Sequence, residues 1–350
     1  MKSMKLITIL CCAVAVFHMP QTLAQNAAPD AYAAETLHPA DWYDYWVGKI
    51  PGCDNTNNIQ TQALNTIRWY MRINPNIENI SPGNKSNPEN VKRVERLMPE
   101  KSFEKTFPNS TLMTKNLHNV IPGHIYNYTN FLKAVAAMPA YCSDYGIAGS
   151  DEKFPGTITL QMQDPDTLCK RMLAMTFAHA AIEVSDGTGG AVDKIRHTFA
   201  QVEEADGNPS MGDFIDLTGP FSLNGKFANL LKNNRYYGRG IKQVTYSSNY
   251  ANTSLLLYSD LRLVEKPSLL AQGFLPFLSA IAYALTPKDS RQSIAEVMDG
   301  SFGLKVEKTA LQDYDRGFST TISLVNGGPE CMGRNKEWTQ TRLDAYKFFS

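Results

Sequence analysis

DPDTLCKRMLAMTFAHAAIEVS, residues 164–185, is written as a helix from its first residue. Asp164 carries the short acceptor side chain that an N-cap uses, and Pro165 suits a first turn that needs no N–H from it. Asp166 complements the positive end of the helix dipole. Leu168, Met172, Met175, His179 and Ile182 recur at spacings of three and four, so they share one face. Gly187, Gly189 and Gly190 follow and are expected to end the helix. Glu183 stands late on it, beside the apolar stripe. The negative dipole end and burial both disfavour a charge there, so a raised pKa, suited to a general acid, is the expectation. The plain alternative is a glutamate solvated at a helix edge.

The same helical pattern continues on both sides. IYNYTNFLKAVAAMPAYC (125–142) places Phe131, Val135 and Met138 on one face, and Pro139 stops it. PSLLAQGFLPFLSAIAYAL (267–285) reads as a helix interrupted near Pro276, and KEWTQTRLDAYKFF (336–349) as the last helix. Strand signals are few, and IKQVTY (241–246) is the best of them. A mainly α domain with long loops is therefore expected from residue 102 to 350. Before it, residues 25–101 read as an extension of unassigned role. DWYDYWVGK (41–49) is dense in aromatics that can stack on sugar rings or pack on the next domain. Ile59–Ile73 reads as a helix, and the Asn/Pro/Ser-rich 74–90 as a loop.

The first 24 residues differ from the rest. Lys2 and Lys5 precede an apolar run from Leu6 to Phe17, with small residues up to Ala24, the pattern of a secretory signal peptide. A secreted or periplasmic location follows as an expectation. The 350-residue chain has 34 basic and 34 acidic residues; without the two signal lysines the balance is 32 to 34. That balance points to neither nucleic acid nor an anionic membrane as partner, and suits a neutral one. A monomer is expected. Of six cysteines, Cys53, Cys142, Cys169 and Cys331 lie beyond the signal. In an exported chain they suggest two disulfides, with three possible pairings. No CxxC or His-rich pair accompanies them, so neither a metal site nor a cofactor is expected.

RYYGRGIKQVTYSSNY (235–250) carries the most specific signal. Glycines on both sides of Arg239 let the backbone approach a neighbour or a ligand closely. Alternation in a short strand would put Gln243 and Thr245 on one face. Such a face can bind a neutral polar substrate, position a water, or form a buried network that fixes a loop. Glu203 and Glu204, in FAQVEEADG (199–207), offer a second carboxylate, or only a solvated turn.

YYGRGIKQVTYSSNY resembles the signature of glycoside hydrolase family 19. Four further segments agree in order: IYNYTNFLKAVAAMPAY, TFAHAAIEVSDGTGG, LTPKDSRQSIAEVMDG and SLVNGGPECMGRNKEWTQTRLDAYKFF. The resemblance implies a mainly α, two-lobed, lysozyme-like fold with a deep substrate cleft. It implies a chitinase-like endo-glycosidase cleaving β-1,4-linked N-acetylglucosamine with inversion, through two carboxyl groups about 6.5–9.5 Å apart. By the same resemblance Glu183 is the general acid and Glu203 the general base, with Glu204 as the alternative base. Thr245 holds the nucleophilic water. Tyr237, Gln243, Asn249 and Asn326 bind substrate, and Arg342 and Arg239 support the site from behind. The sequence departs from the family where Ile182 replaces a His and Ile241 a Pro. The usual partner of Cys331 lies beyond the last residue. Peptidoglycan as the polymer, or glycan binding without catalysis, are the alternative readings.

Overall fold

The computed structural model describes residues 77–108, 125–138, 141–142, 164–184, 199, 202–204, 212–258, 260–285, 294–298, 318–331 and 336–350. The signal segment, the aromatic cluster at 41–49, the 59–73 helix, Cys53 and Gly187–Gly190 lie outside these residues. Eleven α-helices occur among the described residues. They are α1 Glu89–Leu97, α2 Glu100–Thr106, α3 Tyr128–Ala137, α4 Pro165–Glu183, α5 Ala228–Leu231, α6 Ser247–Tyr258, α7 Arg262–Glu265, α8 Leu275–Leu285, α9 Ile294–Met298, α10 Phe318–Cys331 and α11 Lys336–Phe349. Short 3-10 turns lie at Ile77–Asn79 and Pro267–Ala271, and the only β-pairing among the described residues is isolated bridges. The fold is mainly α.

α4 is the axis of the molecule. Asp164 caps it as expected, its carboxylate accepting from the Thr167 N–H (3.1 Å). The stripe expected from spacing is too narrow, however. Cys169, Leu173, Ala174, Thr176, Phe177, Ala178, Ala180 and Ala181 are buried as well, so α4 is enclosed on nearly all sides. α11 packs along it, α1 and α9 cross it, and α3 packs against α8 and α1. Phe103, Phe107, Phe131, Phe177, Phe199 and Phe277 form one aromatic core cluster. A second, smaller core gathers Met175, Ala178, Ala181, Phe318, Ile322 and Ala345, with Phe318 stacked on Tyr346 at 4.3 Å.

Three readings are refined by this frame. The 267–285 stretch breaks before Pro276, because Gly273 (φ +54°) turns the chain and Pro276 sits in the first turn of a new helix. Residues from Ile77 onward share the main core, and α2 runs across 101/102. Asn90 reaches from α1 to the carbonyls of Val135 and Tyr141, closing the end of α3. One disulfide joins Cys142 to Cys169, one of the pairings open from the sequence. It ties the end of α3 to the first turns of α4.

Candidate active site

The Gly-Arg-Gly segment is a junction of backbones. The Glu204 N–H donates to the Gly238 carbonyl (2.7 Å) and the Gly240 N–H to Val202 (2.9 Å). Residues 202–204 are thereby paired with 238–240, although 36 positions separate Glu203 from Arg239. Arg239 and Val244 then pair with each other, so 240–243 is a tight turn and not part of the expected strand. Its geometry explains the difference. Gly240 has φ +70°, and a Cβ there would lie 3.0 Å from Pro276 backbone atoms. Gln243 itself has φ +50°, a conformation that costs energy in a residue with a side chain. Alternation therefore does not set the faces of Gln243 and Thr245; the turn does.

Around this turn the expected residues fall into two networks. In the first, the buried Arg239 donates to the Glu203 carboxylate at 2.6 Å and to the Tyr250 hydroxyl at 2.7 Å. Its guanidinium also lies 3.8 Å from the Tyr237 ring centre. Glu204 turns the other way, its carboxylate accepting from the Gly238 N–H (3.1 Å). A Cβ on Gly238 would meet Gln243 Oε1 at 2.5 Å and Glu204 Oε2 at 3.1 Å, so these two polar ends converge over the glycine. Thr245 donates to the Gln243 carbonyl and Asn249 to the Thr245 carbonyl, which fixes both on the same ledge.

The second network surrounds Glu183 at the end of α4. Arg342, fully buried on α11, donates to Glu183 at 2.6 Å. The same nitrogen reaches Glu330 on α10 at 3.0 Å, and Arg342 Nε bonds the Glu330 oxygens at 3.1 and 3.2 Å. Asn326, at a kink in α10 with φ −150° and ψ 41°, donates to Glu330 (3.0 Å). Arg342 also donates to the His179 carbonyl and faces His179 Nδ1 at 3.2 Å. Thr321 spends its hydroxyl proton on the Phe318 carbonyl (2.6 Å), so it accepts from His179 Nε2–H at 2.9 Å. His179 is thus the neutral Nε2–H tautomer. Burial and then the Arg342 charge hold its pKa well below the ordinary value.

Glu183 differs from expectation. Burial does act to raise its pKa, but the charges of Lys242 and Arg342, with the Arg342 hydrogen bond, outweigh it and lower the value. A carboxylate with two cations beside it loses less by ionising than burial alone would cost. Lys242 and Glu330 are the partners that sequence reasoning missed. Glu330 lies inside the Asn-Gly-Gly-x-Glu-Cys segment, and Lys242 inside the quoted signature, between an apolar residue and Gln243. Among the described residues no cluster of His, Cys, Asp and Glu has the makings of a metal site.

The arrangement offers one carboxylate at the end of α4, two more beside the glycine turn, and amide and hydroxyl groups on that turn. Comparison with known proteins bears on the family. The chitinase class I family, glycoside hydrolase family 19, matches residues 104–350. The acidic endochitinase pcht28 of Solanum chilense is 25% identical over 240 residues, 67% of this chain and 81% of that protein. The acidic endochitinase Q of Nicotiana tabacum is 30% identical over 118 residues, 33% of this chain and 45% of its own length. The crystal structure of chitinase C from Streptomyces griseus covers 76% of this chain and 93% of its own, at 18% identity and a TM-score of 0.46. The family match spans well over half of the chain and takes in Glu183, the glycine turn and Arg342. On that ground this chain belongs to glycoside hydrolase family 19 and is a chitinase-like glycoside hydrolase, and its described residues are mainly α as the sequence resemblance implied.

Proposed function

We propose that this chain is an exported endo-glycosidase that hydrolyses β-1,4-linked N-acetylglucosamine chains with inversion at the anomeric carbon. The observation that carries the reading is the 240–243 turn, whose two neighbouring networks each present a carboxylate. Glu183 protonates the departing glycosidic oxygen. Glu204 removes a proton from the attacking water, which Thr245 and Gln243 orient. Glu204 is preferred to Glu203 because Glu203 is engaged by the buried Arg239, whereas among the described residues Glu204 accepts from the Gly238 backbone N–H and converges with Gln243. Tyr237, Asn249 and Asn326 contact the sugar chain. Arg239 and Arg342 hold the carboxylates from behind. The printed names of the relatives, endochitinases, favour chitin as the polymer.

Hydrolysis of N-acetylglucosamine hexamers followed by proton NMR tests this. The first product should be the α-anomer. Glu183→Gln should abolish turnover with the fold intact, and Glu204→Gln should lower kcat by about 10²–10⁴-fold. Glu203→Gln should instead lower Tm by unpairing Arg239. Initial β-anomer, or full turnover in Glu204→Gln, would refute the scheme. Clearing of cell-wall suspensions without chitin cleavage would assign peptidoglycan as the polymer.

A further inference from the structure

Val244 and Tyr246 stand two apart on the segment that follows the glycine turn, so a regular ladder would put both on one face. Yet Val244 is 7% exposed and Tyr246 49%. The backbone explains the difference. Arg239 and Val244 exchange two bonds, and the same register would send the Tyr246 N–H to the Tyr237 carbonyl. It goes to the Tyr236 carbonyl instead, at 2.9 Å. One extra residue thus stands on the 236–239 side, a bulge, and the freed Tyr237 carbonyl accepts from the Tyr250 hydroxyl at 2.7 Å. Tyr246 itself has φ +75°, which takes its side chain off the Val244 face.

The ring is held in this outward position. The Tyr246 carbonyl accepts from the N–H groups of Asn249 (3.0 Å) and Tyr250 (3.1 Å), tying it to the first turn of α6. Phe214, half-buried against the main core and itself at φ +51°, stands at 77° to the Tyr246 ring with 5.8 Å between centres. The Phe214 segment is clamped in turn. Its carbonyl accepts from the Ser247 N–H at 3.1 Å, and the Asp216 carboxylate from the Ser248 N–H at 2.7 Å. Two bulky residues in the left-handed region cost the fold energy, and such strain gathers where a side chain is needed in a set place.

The neighbours of Tyr246 are those of the proposed cleft. Thr245 precedes it, and the exposed Asn249 donates to the Thr245 carbonyl at 2.8 Å. A β-1,4-linked N-acetylglucosamine ring carries its large substituents around its rim, so both of its faces present C–H groups. These are slightly positive and suit the negative face of an aromatic ring. We propose that Tyr246 binds substrate, its open ring forming a stacking platform for one sugar unit beside Thr245 and Asn249, with Phe214 as the positioning residue that sets the ring. The proposal rests on the reading of the glycine turn as a glycan site.

The test is calorimetric titration of N-acetylglucosamine hexamer into Glu183→Gln protein, alone and combined with Tyr246→Ala, Tyr246→Phe, Tyr246→Trp or Phe214→Ala. Tyr246→Ala should weaken binding about three- to tenfold. Tyr246→Phe and Tyr246→Trp, which keep a ring, should stay near the parent, and Phe214→Ala should share part of the loss. With Glu183 intact, Tyr246→Ala should raise KM by the same factor at constant kcat and Tm, because stacking serves ground and transition states alike. An unchanged Kd in Tyr246→Ala, or an equal loss in Tyr246→Phe, overturns the platform. A fall in kcat at constant KM overturns it too, since Tyr246 would then act on the reacting atoms. An unchanged Kd in Phe214→Ala overturns the role of Phe214. Hexamer that binds no form of the protein would refute the glycan reading together with the proposal, whereas binding that ignores Tyr246 refutes the proposal alone.

Discussion

Arg342 and Glu183, 159 positions apart, are joined by a 2.6 Å bond whose donor nitrogen also serves Glu330. One fully buried guanidinium therefore holds two carboxylates and the carbonyl of His179. Removing it would strip the buried Glu330 of its ion pair with Arg342. Breaking a buried ion pair by deleting one partner costs about 3–5 kcal/mol. Arg342→Met should therefore show that loss in urea unfolding and negligible chitinase activity. Exchanging both members, as in Arg342→Met with Glu330→Gln, should recover much of the stability and little of the activity. Equal stability of the two variants would show that Glu330 is not the group that Arg342 compensates.

Gly238 should tolerate no side chain. A Cβ there would push against Gln243 Oε1 at 2.5 Å and Glu204 Oε2 at 3.1 Å, both polar ends of the proposed water site. Gly238→Ala should lower kcat/KM by at least tenfold while changing Tm little, since flexible side chains and not the core would move. Steady-state kinetics beside a thermal melt separates the two. A large fall in Tm with unaltered kcat/KM would place the glycine in a purely structural role.

Stability should fall on acidification in two stages. The ordinary pKa of His179 is 6.5 and its folded value lies well below that. The unfolded chain therefore takes up a proton first, and stability present above pH 6.5 is lost as pH falls. The slope approaches about 1.4 kcal/mol per pH unit. Glu183, also depressed, adds to the loss below its ordinary 4.5. Unfolding free energy measured against pH should lose the first stage in His179→Gln, whatever that variant's absolute stability. A slope between pH 6.5 and 4.5 that survives in His179→Gln would assign it to other groups.

The Cys142–Cys169 bridge closes a loop of 27 residues, worth about 3–4 kcal/mol in the loop-entropy picture. It also anchors α4 near its N-terminus, far from Glu183. Replacing both cysteines by serine should lower the urea midpoint while leaving kcat at permissive temperature close to that of the intact protein. A collapse of kcat without loss of stability would mean that the bridge sets the register of α4 at the site.

Much of the frame is readable along the chain, where local rules suffice. Asp164 and Pro165 announce the start of α4, and the spacing of Phe131 and Val135 announces α3, because caps and periodicity act within a few residues. The reading of 241–246 as a strand fails for a non-local reason. Contacts of Gly240 and Ile241 with the Pro276 backbone fold it into a turn and hold Gln243 at a positive φ. Which of Glu203 and Glu204 faces Gln243 was likewise open, since adjacent glutamates differ only in where the backbone pairing with 238–240 turns them.

The sequence by itself determined the helical class, the caps, the carboxylates available for chemistry and the family, because each is written in side-chain type and spacing. Only the tertiary structure decided which way the pKa of Glu183 moves. Its position at a helix C-terminus argues for a raised pKa, and a helix read alone has no other partner to offer. Folding brings Lys242 and Arg342 to it from distant segments, and their two charges, with the Arg342 hydrogen bond, outweigh burial.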